Sequence, residues 1–411
     1  MKTSLTDRPI MCTALCALLA LASCSNDNGQ SSASVSAVQI SGTVLYVNDY
    51  GQPVPSFTPE EMKEAGFDYA DLINVQIGDT LKLTNIPYIT SFNEAGILSP
   101  TYVDYNARGD TYGFGMLNGD FHYYIGGEEG DTLIMTLSEK GGYKKTYELM
   151  KSVYPVERRA GETAEEYANF RPVTTTGMAQ GVLYRSSNPL NIKDNAGRYV
   201  VADSLAQTVG IKTEIDLADT SEKIAAYRTY TGYGATYCLQ LFDEGNTIAC
   251  GMMANSFNDD FKTKMGKAVK FMIEKEPPYL IHCNEGKDRC GFVSMLFEAL
   301  AGASIDELRR DYMVTLLNFY KVEDGGESYC LRQRLSIDRL MWLLCHEEML
   351  KNFNSINWDK MVFSDTDIEE SDMYHISRKT LQQAARKYLV ECGLTEEECD
   401  TFRKILTTGK K

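Results

Sequence analysis

Tyr279-Leu280-Ile281-His282-Cys283-Asn284-Glu285-Gly286-Lys287-Asp288-Arg289-Cys290-Gly291 is the stretch on which the reading of this chain turns. It has the form His-Cys-x5-Arg-x-Gly. Tyr279, Leu280 and Ile281 read as a strand. Phe292, Val293, Met295, Leu296, Phe297, Ala299 and Leu300 give the next segment the broad apolar face of a helix. One loop therefore joins a nucleophilic sulfur, a glycine turn, a helix N-terminus and a guanidinium. Backbone N–H groups from Asn284 to Arg289 are expected to converge on one centre and form an anion nest. Arg289 can add two parallel hydrogen bonds to phosphate oxygens. These parts predict attack of Cys283 on phosphorus while the amides and Arg289 hold the equatorial oxygens. The product would be a phosphocysteine that water then cleaves. A bare Cys-x5-Arg would favour a buried cysteine in a strand-to-helix turn over catalysis. His282, Gly286, Gly291 and both flanking elements together favour catalysis.

The expected phosphate cradle is Asn284, Glu285, Gly286, Lys287, Asp288 and Arg289. Lys287 reads equally as a phosphate contact or as a cation that steadies the loop, and Glu285 sets a negative charge against it. No step calls for a cofactor or a metal. His122, His346 and His375 show no metal-ligand pairing.

Outward from the loop, strands and helices alternate. Val182–Ser187, Ile211–Leu217 and Ala235–Phe242 read as strands; Val200–Val209, Glu222–Thr229 and Phe261–Glu274 read as helices. Pro277-Pro278 ends the last helix, and beyond Phe292 the chain reads as mostly helical. That alternation predicts an α/β fold with a mainly parallel central sheet flanked by helices. The region before it reads as a small all-β domain. Gly78-Asp79-Thr80-Leu81 and Gly130-Asp131-Thr132-Leu133 share a turn-into-strand pattern, and aromatics crowd between Tyr102 and Tyr124.

The N-terminus reads as a leader. Lys2 and Arg8 precede a short apolar run, Ile10 to Ala22, in the manner of a secretory signal. Leu21-Ala22-Ser23-Cys24 resembles the lipobox of bacterial lipoproteins, which implies cleavage before Cys24 and its lipidation. Ser25 to Ser36 is polar and suits a flexible tether. The expected organisation is signal 1–23, tether 24–36, β-rich accessory domain 37–150 and catalytic domain 151–411. The expected location is the bacterial cell envelope, on the exported side, with the lipid anchor as membrane partner. The formal charge of −16 argues against nucleic acid as a partner. Disulfides are possible in an exported chain, but their pairing cannot be read from spacing.

The loop resembles the phosphate-binding loop of cysteine-based tyrosine phosphatases. Its Gly286-Lys287-Asp288-Arg289 is similar to the bacterial branch with secreted mycobacterial and listerial enzymes. Asn169-Phe170-Arg171, Leu183-Tyr184-Arg185-Ser186-Ser187, Gly210-Ile211 through Ile215-Asp216-Leu217, and Asp311-Tyr312-Met313 through Asn318-Phe319-Tyr320 resemble further family segments. The resemblance implies hydrolysis of phosphotyrosine, with phosphoserine, phosphothreonine or phosphoinositides as further substrates. Partners would be a phosphorylated protein or a small phosphomonoester.

The leaving group needs a proton. No Trp-Pro-Asp segment precedes the nucleophile, because Trp342 and Trp358 both follow it. The resemblance implies Asp288 as the acid. Asp243 is the alternative, at the end of an expected strand, with Glu244 behind it. Arg185 and Asp216 read as supports of the fold, and His282 as an orienter of the loop. Position 290 is Cys where the family usually carries Thr or Ser, and Ala218 stands where an Arg is usual. A thiol is the weaker donor, so one rival reading is a phosphate-recognition module with weak turnover; the other keeps the chemistry and changes the substrate to an inositol phosphate or phosphoinositide. A reversible Cys283–Cys290 disulfide is a further possibility at this stage.

Overall fold

The computed structural model describes residues 38–410, except 106–111, 152–156, 194–196, 351–355 and 367–371. The expected signal, the tether and Cys24 lie outside the described residues.

The first part of the chain forms seven strands: β1 (Gln39–Val47), β2 (Pro53–Pro55), β3 (Leu72–Ile77), β4 (Leu81–Ile89), β5 (Thr101–Asp104), β6 (Tyr112–Gly115) and β7 (Thr132–Glu139). They make one sheet in the order β2-β1-β7-β3-β4-β5-β6. Both Gly-Asp-Thr-Leu turns feed strands, β4 and β7, as the sequence predicts. The sheet rolls until its edges approach. A Cβ on Gly113 of β6 would lie 2.8 Å from the Pro53 carbonyl of β2. Val44, Ile73, Val75, Tyr102, Phe114 and Leu133 fill its buried face. This part is not all-β, because three short helices cover it: α1 (Pro59–Glu64), α2 (Phe121–Tyr124) and α3 (Lys144–Met150). Local chemistry starts α1: Thr58 and Glu61 form a reciprocal capping box, and Pro59 occupies the first turn, where a missing N–H costs nothing.

The second part is mixed α/β. In chain order it contains α4 (Ala164–Ala168), β8 (Arg171–Pro172), β9 (Leu183–Ser186), α5 (Arg198–Val209), β10 (Thr213–Asp216), α6 (Ser221–Tyr227), α7 (Tyr237–Asp243), β11 (Thr247–Ala249), α8 (Asp259–Glu274), β12 (Tyr279–His282), α9 (Asp288–Ala301), α10 (Ile305–Tyr320), α11 (Glu327–Leu335), α12 (Ile337–Cys345), β13 (Val362–Ser364), β14 (His375–Ser377), α13 (Arg378–Glu391) and α14 (Glu396–Thr408). The sheet order is β11-β10-β12-β9-β8. Strands β11, β10, β12 and β9 run parallel, and β8 closes one edge antiparallel. All four residues of β12 are buried at its centre. Helix α9 leaves that strand through the loop and is buried along its whole length from Cys290 to Ala301. A helix apolar all round belongs inside a core, and here α10, α13 and α14 surround it.

One strand was expected in the wrong place. Residues 235–242 alternate as a strand does, yet 237–243 form α7, and the parallel strand is β11. The cause is tertiary. The Asp203 carboxylate of α5 accepts from the amides of Thr236, Tyr237 and Cys238 at 3.0, 3.2 and 2.7 Å. It thereby satisfies donors that a helix start leaves without partners. Cys238 and Leu241, one turn apart, then face the core.

Both sheets belong to one compact unit, Val38–Lys411. The boundary expected at residue 150 thus falls between two sheets that share a core. Among the described residues, no helix is long and apolar enough to cross a membrane.

Candidate active site

Three consecutive loop carbonyls are tied to the scaffold. The Asn188 amide donates to the Asn284 carbonyl at 3.1 Å. Asn169 Nδ2 donates to the Glu285 carbonyl at 3.0 Å. Arg185 donates to the Gly286 carbonyl at 2.7 Å, joined by the Thr315 hydroxyl at 3.3 Å. In a planar trans peptide the next N–H points the opposite way. Pulling these carbonyls outward therefore turns the amides of Glu285, Gly286 and Lys287 inward, toward the concavity beside Cys283. Gly286 is required twice over. Its φ is +75°, and a Cβ there would lie 2.5 Å from the Ser186 carbonyl. Gly291 is required by packing, since its Cβ would lie 2.6 Å from the Tyr312 ring.

The tying groups are themselves held. Arg185, fully buried, pairs with Asp311, which also pairs with Arg171 at 3.0 Å. Arg171 in turn donates to Asn169 Oδ1 at 2.7 Å. Burial pushes the Asp311 carboxyl up, but Arg171 and Arg185 outweigh that and hold it well below the usual carboxylate range. Glu298, buried beside it, is pushed well above its usual value by burial and by Asp311. That push favours the neutral carboxyl beside the Asp311 carboxylate. Asn169, Arg171, Arg185 and Asp311 come from four elements or their ends. The family-like segments of the sequence contain them, but their joint work on the loop is visible only in the fold.

Cys283 sits at the loop's start, 3% exposed. Next to it His282 is fully buried, with Nε2 3.0 Å from Glu214 of the neighbouring strand and Nδ1 3.9 Å from Asp216. Burial alone would depress the imidazole. Asp216, Glu214 and Asp219 together raise it instead, which favours an imidazolium under the loop. Arg289, opening α9, is anchored at one corner by donating to the Met252 carbonyl at 2.8 Å. Met252 belongs to the segment between β11 and α8, at the same end of the sheet as the loop.

The charged loop residues divide. Glu285 accepts from the Tyr320 hydroxyl. Lys287 is buried and donates to Asn93 Oδ1 at 2.5 Å, with its ammonium 5.0 Å from the Tyr320 ring centre. Of its two expected roles, the loop-steadying one fits these contacts. Asn93 was not anticipated as a site residue; it lies in the N-terminal part, 194 positions from Lys287. A second N-terminal residue, Tyr124, donates to Asn255 in the Met252 segment at 3.2 Å.

Asp288 stays with the loop as the first residue of α9, with Oδ1 3.5 Å from the Lys287 ammonium. Burial pushes its carboxyl above the usual range, more than Lys287 and Arg289 pull it down. Asp243 lies elsewhere. It ends α7, just before the first residue of β11, and so occupies the edge of the sheet opposite the loop. It is exposed and pairs with Arg228 at 2.7 Å, and Glu244 follows it there. The segment 250–258, which does reach the loop's end of the sheet, carries no carboxylate. Cys290 is buried, and its thiol donates weakly to the Ile281 carbonyl at 3.6 Å. All eight described cysteines are free thiols.

Replacing Arg185 by Lys keeps the charge but removes the fork that spans Asp311 and the Gly286 carbonyl. Misplacing the loop by about 1 Å should lower kcat on the order of 10²-fold. Steady-state kinetics, with folded protein quantified by circular dichroism, checks this. An unchanged kcat would leave Arg185 with no part in aiming the loop.

A family model described as the tyrosine phosphatase family matches residues 164–408. No curated protein matches the chain. The matched span begins at α4, takes in every residue that ties the loop except Asn93, and ends with α14; the chain belongs to the tyrosine phosphatase family.

Proposed function

We propose that the protein hydrolyses phosphotyrosine, and to a lesser extent phosphoserine and phosphothreonine, through a phosphocysteine. The observation that carries this reading is the set of three tied carbonyls, which aims consecutive amides at the space beside Cys283. Cys283 attacks phosphorus as the thiolate. The inward amides and Arg289 hold the three equatorial oxygens, where charge develops in the transition state. The tyrosine oxygen leaves and takes a proton from Asp288. Water then attacks the phosphocysteine, and the carboxylate formed on Asp288 accepts its proton.

The geometry favours a single phosphoryl group over a polyanionic inositol phosphate. Lys287 is turned into its contact with Asn93, and Glu285 stays beside the loop, so Arg289 is the loop cation left to meet substrate. Wild type should release phosphate from phosphotyrosine peptides faster than from inositol phosphates, and Cys283→Ser from neither. Phosphate release that persists in Cys283→Ser would sink the mechanism.

Asp288 as acid rests on its place in the loop and on its upward shift. A carboxyl held above its usual range remains protonated to higher pH, so the rate should fall as pH rises through that value. Asp288→Asn should remove this limb and cost roughly 10²–10⁴-fold in kcat with a phenol leaving group. The loss should be least where the leaving group needs no proton. Asp243→Asn should keep the limb. The assignment fails if the limb survives in Asp288→Asn and disappears in Asp243→Asn.

We also propose that the chain is exported and anchored by lipid on Cys24, from the lipobox-like Leu21-Ala22-Ser23-Cys24. A single acyl chain holds a membrane weakly, and stable anchoring takes more than one. Cys24→Ser should move the protein from the membrane fraction to the soluble one. Equal fractionation of both forms would refute the anchor.

A further inference from the structure

Outside the loop, a cavity of about 520 Å³ lies between the N-terminal sheet and helices α11 and α12. Ligand sites commonly span about 300–1,000 Å³. Its walls come from β4, from the segment 96–100, from α3 and from the end of α11. Among the described residues, Lys82, Arg334 and Arg339 line it, and no Asp or Glu does. In a chain with a formal charge of −16, three cations without a lining carboxylate are an unusual concentration.

Arg339 is the second, independent sign. It is only 7% exposed. Buried guanidinium groups are normally matched by a carboxylate. Arg339 instead donates to the Ile97 carbonyl at 2.8 Å and the Ser99 hydroxyl at 2.6 Å, both neutral. Its Nε has no hydrogen-bond partner. Burial without a matching anion depresses the guanidinium to about 10. The backbone makes room for it, since a Cβ on Gly96 would lie 2.6 Å from its Nη1. Arg334 has one carboxylate near, Asp359 at 3.7 Å, with both side chains exposed to solvent. Such a pair contributes little. Aromatic surface completes the wall. The Trp358 ring lies 4.5 Å from the Arg339 guanidinium, and Tyr143 is held by its hydroxyl on the Glu94 carbonyl at 3.0 Å.

We propose that this cavity is a binding site, separate from the phosphate loop, for a small organic anion with one flat apolar face. The anionic group would meet the guanidinium of Arg339 and the charges of Arg334 and Lys82. The flat part would lie along Trp358, Tyr143 and Leu335. No lining residue belongs to the loop, so the two sites can be filled together. Aryl anions and acidic sugars share this chemistry.

Calorimetric titration of the full chain, with vanadate saturating the loop, separates the sources. Naphthalene-2-sulfonate tests the aryl anion, glucuronate the sugar acid, and naphthalene-2-sulfonamide the uncharged shape. At least one anion should bind one-to-one, and the sulfonamide should not. Lys82→Glu with Arg334→Glu alters exposed side chains and should leave the melting temperature unchanged while weakening the anion at least about tenfold. Arg339→Lys, which replaces the planar guanidinium by a point charge, should weaken it as well. Absence of binding by both anions overturns the proposal. So does equal binding of the sulfonamide, equal affinity in the charge-reversed variant, or loss of binding when vanadate fills the loop.

Discussion

The fold is organised around where three carbonyls point. A loop that must gather amides around an anion meets a problem, because each peptide carries an acceptor opposite its donor. Left to itself, a tight turn would scatter both. Here the Asn284, Glu285 and Gly286 carbonyls each find a donor on the outer side: a backbone amide, a carboxamide, and a guanidinium with a hydroxyl. Those donors come from around β9, from the end of α4 and from α10. The loop's shape therefore depends on contacts with both the sheet and the helices. The ionic cluster of Arg171, Arg185 and Asp311 then has a reason to exist. As a source of stability, a buried ion pair is a doubtful investment, since desolvation of two charges offsets their attraction. As a rigid mount for a donor on Gly286, it holds one hydrogen bond where a flexible side chain would not.

The same logic explains why charge within the loop is kept away from its centre. Glu285 would repel a phosphate and Lys287 could compete with Arg289 for it. Each instead finds a partner outside, Tyr320 for the carboxylate and Asn93 for the ammonium. The N-terminal part therefore shares the work of shaping the site, through a short turn and α2. It touches the loop through Asn93 and the Arg289-bearing side through Tyr124 and Asn255. Because Asn93 lies three residues before Gly96, the segment that steadies Lys287 runs directly into the wall of the cationic cavity.

Much of this was legible in the sequence where function and local structure coincide. The strand, turn, cysteine, arginine and apolar helix of 279–300 are contiguous, so their pattern shows before any folding. Arg185 and Asp216 read correctly as supports, because apolar strands rarely hold a charge without a purpose. What escaped depends on contacts between distant segments. Residues 235–242 alternate like a strand, and only the Asp203 carboxylate, 33 positions earlier than Thr236, makes them a helix. That one change also moved Asp243 to the far edge of the sheet, since its candidacy rested on following a strand. Asn93 lies in a short turn of the N-terminal part, far in the chain from Lys287, and carries no local mark of its role.

Cys290 shows how a single substitution redistributes the work of a site. Burial pushes its thiol up to about 11, so at neutral pH it is uncharged, and its one proton is directed at the Ile281 carbonyl. A thiol held that way is a poor nucleophile, which weighs against a Cys283–Cys290 disulfide. It is also a poor donor to a sulfur leaving phosphorus, because the hydrogen is already engaged. On the proposed mechanism, stabilisation of a departing Cys283 thiolate would then fall to the inward amides and to His282, whose imidazole Asp216, Glu214 and Asp219 push toward the charged form against its burial. The buried acidic cluster at the sheet's end would in that way serve a step for which position 290 offers no hydroxyl.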